Sequence, residues 1–307
     1  MNDGVGLWGV PLAMLGGAIR VSTPYLFVSL GETLTEKSGR VNLGLEGTLL
    51  LGAVSAYGVS YATSSPWLGV LAAGACGVAM GCLHAFLCSR PRVNDIAVGI
   101  ALMLFGTGLS FYVGKPLIQP EAPLLPALEL GAFSDVPALR EALRVNPLFL
   151  VGLLLSPALL WALRNTRAGL VLRMAGESAD AARALGYSVA RVRMLATMAG
   201  GFLAGVGGSF LSLYYPGVWN EGLSSGQGLI AVALVIFARW NPVHCLYASM
   251  IYGAAGSLGG ALQSAGVAVS HHLFAAAPAA LTLLIMVVTC SPDRTLRGAP
   301  RELTVNS

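Results

Sequence analysis

Nine apolar stretches, approximately residues 7–30, 43–63, 67–89, 94–114, 147–164, 194–215, 225–239, 242–264 and 270–290, run almost end to end through the sequence. At about 1.5 Å per helical residue, most are long enough to cross about 30 Å of hydrocarbon. Only 10% of the residues are charged, against roughly 25% in a soluble domain, so a water-facing globule has too little polar surface. In lipid the backbone must satisfy its own hydrogen bonds, which leaves helices or closed barrels. The runs lack the strict alternation of barrel strands. The expectation is an all-α, polytopic transmembrane bundle of about eight to ten spans, forming one domain over residues 1–307. The run at 225–239 is short and reads as broken or half-crossing.

Glycine is abundant, at 39 residues. Small residues let membrane helices approach closely, and Gly77/Gly81, Gly201/Gly205 and Gly256/Gly260 form GxxxG pairs inside apolar runs. Together they predict a tightly packed bundle. The five cysteines, Cys76, Cys82, Cys88, Cys245 and Cys290, have no CxxC spacing and read as small buried hydrophobes. The first apolar run has neither a basic n-region nor an A-x-A site, so no cleaved signal is expected.

Basic residues orient the spans, because they favour cytoplasmic loops. Arg164, Arg167, Arg173, Arg183, Arg191 and Arg193 fall in the single connection 165–193 or at its edge. Placing that connection inside also puts Lys37, Arg40, Arg90, Arg92, Arg239 and the tail 291–307 inside. The connection 115–146, where basic and acidic residues offset one another, falls outside. The N-terminus is then outside, the C-terminus inside, and the spans number nine. A weak internal echo accompanies this. Gly47–Leu87 and Gly228–Leu262 each read as helix, proline break, then glycine-rich helix, with breaks at Pro66 and Pro242 on opposite sides, as in inverted repeats.

Catalytic signatures are missing. Lys37-Ser38 follows Glu36 where a P-loop needs glycine, and there is no HExxH, zinc spacing or GxSxG. His271-His272 reads as a helix start rather than a metal site. No catalytic residue, cofactor or metal is expected, nor nucleic-acid binding. Polar residues within the apolar stretches are few, and intramembrane ones face a bundle interior or water. Asn42, Glu46, Asn94 and Gln227 are the candidates for lining or gating a pathway. Glu46 reads alternatively as an interfacial helix-end group capped or paired with Lys37 or Arg40. Asn94 reads alternatively as an N-cap, with Asp95 favoured by the helix dipole.

The connection 165–193 carries a short helix with definite ends. Glu177 precedes Ser178, a suitable N-cap, and Asp180 sits in the first turn. Gly186 suits the position after the helix. About eight residues cannot hold a helix alone in water, so something packs on it. Ala182, Leu185 and Tyr187 offer an apolar face. It is either a surface helix held on anionic lipid by arginines or a docking helix for a cytoplasmic partner.

Three blocks now resemble a known family: Pro24–Gly58 with Asn42-Leu-Gly44-Leu-Glu46-Gly47, Gly176–Ala204, and Gly226-Gln-Gly228 through Trp240-Asn-Pro242 to Gly260. They look like permease subunits of ABC importers for branched-chain amino acids, simple sugars and nucleosides, and the first block is most similar to the nucleoside branch. Arg239-Trp240 is bulkier than the family pattern at that span end. The resemblance implies that Glu177, Ser178, Asp180, Ala182, Arg183, Leu185 and Gly186 form the coupling element that sits in a cleft of an ATPase subunit. It also implies an ATP-binding cassette partner, a second permease (homologous heterodimer or homodimer), an extracytoplasmic substrate-binding protein or lipoprotein, and residence in the lipid of the bacterial inner membrane. The expected function is uptake of nucleosides or related sugars by alternating access. The competing reading is a stand-alone secondary transporter or channel, a class that should show membrane-buried titratable residues or pore rings.

Overall fold

The apolar runs become helices with sharp, chemically marked ends. In the computed structural model, residues 10–132, 134–264, 280 and 298–305 are described. The long helices are α1 (Val10–Lys37), α2 (Leu45–Thr63), α3 (Pro66–Cys88), α4 (Asp95–Gly114), α6 (Pro147–Asn165), α9 (Val189–Leu213) and α11 (Pro242–Ser264). Shorter ones are α5 (Pro137–Ala142), α7 (Arg167–Glu177), α8 (Ala179–Ala184), α10 (Gln227–Phe237) and α12 (Arg301–Val305). Orphan N–H groups at helix starts are taken up as expected. Asn94 Oδ1 accepts from the amides of Ile96 and Ala97 at 2.8 and 3.1 Å, and Asn146 Oδ1 accepts from Leu148. Proline opens α3 and α6, where no amide hydrogen is needed. Left-handed residues end helices that proline then restarts: Ser64 before Pro66, and Arg239 and Trp240 before Pro242.

Among the described residues, six helices are long and apolar enough to cross a membrane: α1, α3, α4 with the turn after it, α6, α9 and most of α11. α2 has 19 residues but is not among the six. It is sheathed by α3, α4, α9 and α10, so it does not need a lipid-facing surface. α10 has 11 residues, roughly 16 Å, and crosses about half of a bilayer. The candidate span 270–290, with His271, His272 and Cys290, lies outside the described residues except for residue 280, and Arg294 and Arg297 of the tail lie outside them too.

Glycine lets the central helices meet backbone to backbone. A Cβ on Gly77 would come within 2.0 Å of the Gly201 carbonyl oxygen, and one on Gly205 within 2.1 Å of the Ala73 oxygen. A Cβ on Gly81 would lie 2.4 Å from the Thr197 oxygen. Two of the three GxxxG pairs therefore make the α3–α9 seam. The third pair, Gly256 and Gly260, is exposed on α11, and a Cβ on Gly260 would meet nothing within 4 Å among the described residues.

The structure changes the sequence reading in two places. The first span, expected over 7–30, runs on through the polar residues from Glu32 as far as Lys37, after which residues 38–44 turn back to start α2. Pro24 lies inside α1 without ending it. The connection 165–193 holds two helices rather than one, because Thr166 caps a further helix, α7, through the Gly169 amide. On the opposite face, residues 115–146 fold over the helix ends. Leu128–Glu129 pairs antiparallel with Arg144–Val145. Tyr57 and Ser60 of α2 donate to the carbonyls of Pro120 and Pro123.

These contacts fix depth. The face carrying α7, α8, Lys37, Arg40 and Arg92 is the arginine face. Gly47 lies against the backbone of Leu102 and Met103, roughly 12 Å along α4 from Asp95 at that face. Tyr25 packs on Tyr252 with ring centroids 4.8 Å apart, and Tyr252 is roughly 15 Å along α11 from Pro242. The start of α2 is therefore near the middle of the bundle.

Candidate functional site

Two half-buried starts meet at mid-depth. α10 begins beside the first turn of α2, and the Glu46 side chain joins them. Its carboxylate accepts from Gly226 N at 3.0 Å, Gly228 N at 2.6 Å and the Ser224 hydroxyl. A helix N-terminus presents unpaired N–H groups and a positive dipole end, so a carboxylate fits there. Glu46 is 7% exposed. From this point α2 runs toward the loop 115–146, while α10 runs toward the arginine face. There Trp240 donates its indole N–H to Glu36 Oε2. That bond gives the bulky Arg239-Trp240 pair a local reason: the left-handed turn at both residues aims the indole back at α1.

The expected pairing of Glu46 with Lys37 or Arg40 does not form. Lys37 Nζ donates to the Gly298 carbonyl at 3.0 Å. Arg40 is paired with Asp95 at 2.5 Å. Asn42 is buried behind the turn, where its amide donates to Glu32 Oε1 and its Oδ1 accepts from Gly44. Asn94 is spent on capping α4. Gln227 opens α10 partly buried, with no partner for its Oε1 among the described residues.

The second assembly stands on the arginine face. Ser178 Oγ accepts from Ala181 N at 3.2 Å and so caps α8, and Gly186 takes φ +84° after it. Ala182 is fully buried in a small cluster with Ala175, Ala179 and Val189. Glu177, Asp180, Arg183 and Gly186 are exposed. Leu185 is 67% exposed, and Tyr187 also faces outward. α8 is thus a projecting knob that rests on α7 and α9 through alanines and shows a leucine and a tyrosine outward.

Sequence reasoning missed what holds this knob. Glu302 of α12 accepts from the Ala179 amide at 2.9 Å and pairs with Arg193 at 3.0 Å. Arg193 also donates to the carbonyls of Ser38 and Ala175. Burial alone would push the Glu302 carboxyl up, but the Ala179 amide and Arg193 outweigh it and hold it below the ordinary carboxylate range. One residue, Arg193, thus joins the turn after α1, α7, α9 and the tail. The only sequence signal was an acidic residue in a basic tail, which does not announce a partner 123 positions away. Beside this junction is a cavity of about 420 Å³ whose lining includes Arg40, Arg92, Asp95, Arg193 and Glu302. No group of three or more metal-ligating side chains lies together among the described residues.

A family model described as branched-chain amino acid transport system / permease component matches residues 14–290. A putative glucose ABC transporter permease protein of Haloferax volcanii is 32% identical over 297 residues, covering 95% of this chain and 89% of its own. A nucleoside ABC transporter permease protein of Lactococcus lactis subsp. cremoris is 32% identical over 251 residues, with 77% and 78% covered. A guanosine ABC transporter permease protein of Bacillus subtilis is 28% identical over 250 residues, with the same coverage. A glycine-seamed helical bundle with no catalytic constellation in its sequence agrees with these relatives: the chain belongs to the branched-chain amino acid transport system / permease component family and is the multi-pass membrane permease subunit of an ABC importer.

Proposed function

We propose that this permease carries nucleosides or related sugars into the cell across the bacterial cytoplasmic membrane, driven by separate ATP-binding cassette subunits that dock on α8. The observation that carries the docking is the knob itself. A six-residue helix is capped at both ends and buried on one side only by alanines, and it holds Leu185 and Tyr187 in water. An exposed leucine and tyrosine on a braced projection suit a hydrophobic cleft in a partner. The cargo is supported by the names of the glucose, nucleoside and guanosine relatives. In this reading the arginine face is cytoplasmic, the N-terminus is outside and the C-terminus inside, as the basic residues favour. A second permease completes the pathway, and an extracytoplasmic binding protein or lipoprotein delivers the solute.

The route of coupling follows from the packing. α9 starts at Val189, in the cluster under α8, and ends at Leu213, whose carbonyl accepts from Leu125 of the opposite loop. Closure of the ATPases pushes α8, and α9 carries that displacement along the glycine seam to the far face. The solute site is then exposed alternately to either side.

Leu185→Asp tests the docking. The variant should insert normally and lose ATPase-subunit association, measured by co-purification from membranes. Retained association would remove α8 from the interface. Uptake into vesicles separates the competing class: ATP-independent uptake by this chain alone would make it a stand-alone transporter. ATP-dependent uptake of a nucleoside or sugar by the assembled complex is the expected result.

A further inference from the structure

The link between α9 and α10 is irregular, polar and deep. It leaves Leu213 at the face of the loop 115–146 and reaches mid-depth at Gly226, beside Glu46. On the way Trp219 packs on Gly114, the last residue of α4: a Cβ there would lie 2.2 Å from the indole nitrogen. Ser224 bonds Glu46 at the other end. Residues 220–223 therefore lie between the outer end of α4 and the middle of the bundle. Asn220, Glu221, Gly222 and Ser225 are all exposed in this chain, while Trp219, Leu223 and Ser224 anchor the segment from behind.

Non-helical backbone at membrane depth does not face lipid. It is tolerated only where protein buries it or where it lines a water-filled cavity. Asn220, Glu221, Gly222 and Ser225 of this segment are left uncovered by the described residues. Glu221 stands two residues beyond Trp219, inward of the outer end of α4, and makes no ion pair within 4.0 Å among the described residues, so its carboxylate calls for water or a partner. A water-filled path, completed by the second permease, satisfies both the exposed backbone and the carboxylate.

We infer that residues 220–227 line the outer half of the solute path, with Asn220, Glu221 and Ser225 forming hydrogen bonds to the hydroxyl groups of a polyhydroxylated solute. A carboxylate accepts from two neighbouring hydroxyls at once, as a sugar ring presents them, and the asparagine amide both donates and accepts. Gln227, whose Oε1 has no partner, closes the segment at its inner end. Glu46 lies behind this surface and holds it in place; it is not itself the lining group. The ligand class rests on the cargo reading above, whereas the water-lined segment does not.

Thiol accessibility tests the lining in the assembled transporter. Single cysteines are placed at Asn220 and Ser225 in a chain whose five native cysteines are replaced by alanine. Controls are placed at Leu104 and Leu154, which are exposed on apolar helices. A charged, membrane-impermeant methanethiosulfonate added outside should label positions 220 and 225 but not 104 and 154. A transported nucleoside or sugar should slow the labelling. Glu221→Gln, with the native cysteines present, should raise KM for that solute about tenfold while ATPase-subunit association stays unchanged. Unlabelled thiols at both positions, or labelling that a transported solute does not slow, would overturn the assignment. An assembly that carries neither nucleosides nor sugars, yet is labelled at both positions, would refute the cargo and the hydroxyl contacts but leave the water-lined segment standing.

Discussion

Glu46 and Glu302 do the same chemistry in two different surroundings. Each is a carboxylate from a distant part of the chain set on the first turn of a short helix, α10 in one case and α8 in the other. Glu46 is sealed at mid-depth, with three donors and, among the described residues, no cation bonded to it. Glu302 is at the arginine face with its side chain 23% exposed, and Arg193 shares it. In the sealed site no water replaces a lost acceptor, so the carboxylate is structural. At the face, water competes, and the same bond becomes an adjustable brace on the element proposed to meet the ATPase.

The sealed clamp at Glu46 should respond most strongly to substitution. Glu46→Ala leaves the amides of Gly226 and Gly228 and the Ser224 hydroxyl without their acceptor. Unsatisfied buried groups cost about 1–3 kcal/mol each, so the loss should be about 3 kcal/mol or more. The expected outcome is little monodisperse protein after detergent extraction, and a thermal midpoint well below that of the parent. Glu46→Gln keeps one oxygen but turns an NH₂ toward N–H donors, and should fall between the two. Wild-type stability in Glu46→Ala would show that the sealed clamp does not hold α10.

Glu302→Ala should behave differently. The helix bundle stays folded, because Arg193 keeps the Ser38 and Ala175 carbonyls. The local loss is about 1–2 kcal/mol, confined to α8. It should appear as faster hydrogen exchange at Ala179 and as ATP hydrolysis less tightly coupled to uptake. Acid gives the same result without mutation. The folded carboxyl lies below its unfolded value of about 4.3, so its contribution is fully present above that pH and disappears as pH falls through the folded value. Ala179 protection in the parent should therefore hold from neutrality down to about pH 4 and be lost below it. Exchange at Ala179 that is indifferent to both the substitution and acid would remove the brace.

The contrast also explains what could be read in advance. The spans, the caps at Asn94 and Ser178 and the break at Pro242 are local events, encoded within a few residues, and the sequence carried them. The half-length of α10 was visible as a short apolar run. The two carboxylate clamps were not visible, because Glu46 meets residues 178 to 182 positions away and Glu302 meets Ala179 across 123. Nearby cations, Lys37 and Arg40, made a local pairing for Glu46 the natural expectation. Chain reversal at residues 38–44 instead lifted Glu46 away from them. The glycine pairs were half legible: spacing marks a helix face able to pack closely, but only the fold decides whether a neighbour fills it, as with Gly77 against Gly201 and, among the described residues, the open Gly260.

The exposed ion pair on α8 should matter least. Arg183 and Asp180 also form an ion pair on α8, at 2.7 Å, shorter than the Glu302–Arg193 pair. Distance alone would rank it the stronger. Yet the side chains are 62% and 93% exposed, and water solvates both charges nearly as well apart as together. Such pairs contribute about 0–1 kcal/mol, and one at helical spacing about 0.3–0.5. Arg183→Ala in the isolated permease should leave the thermal midpoint and Ala179 exchange within error of the parent. Adding 0.5 M salt to the parent should do no more. If Arg183→Ala instead loosened Ala179 as much as Glu302→Ala, then α8 would be held by its surface charges, and burial would not be what separates the two carboxylate clamps.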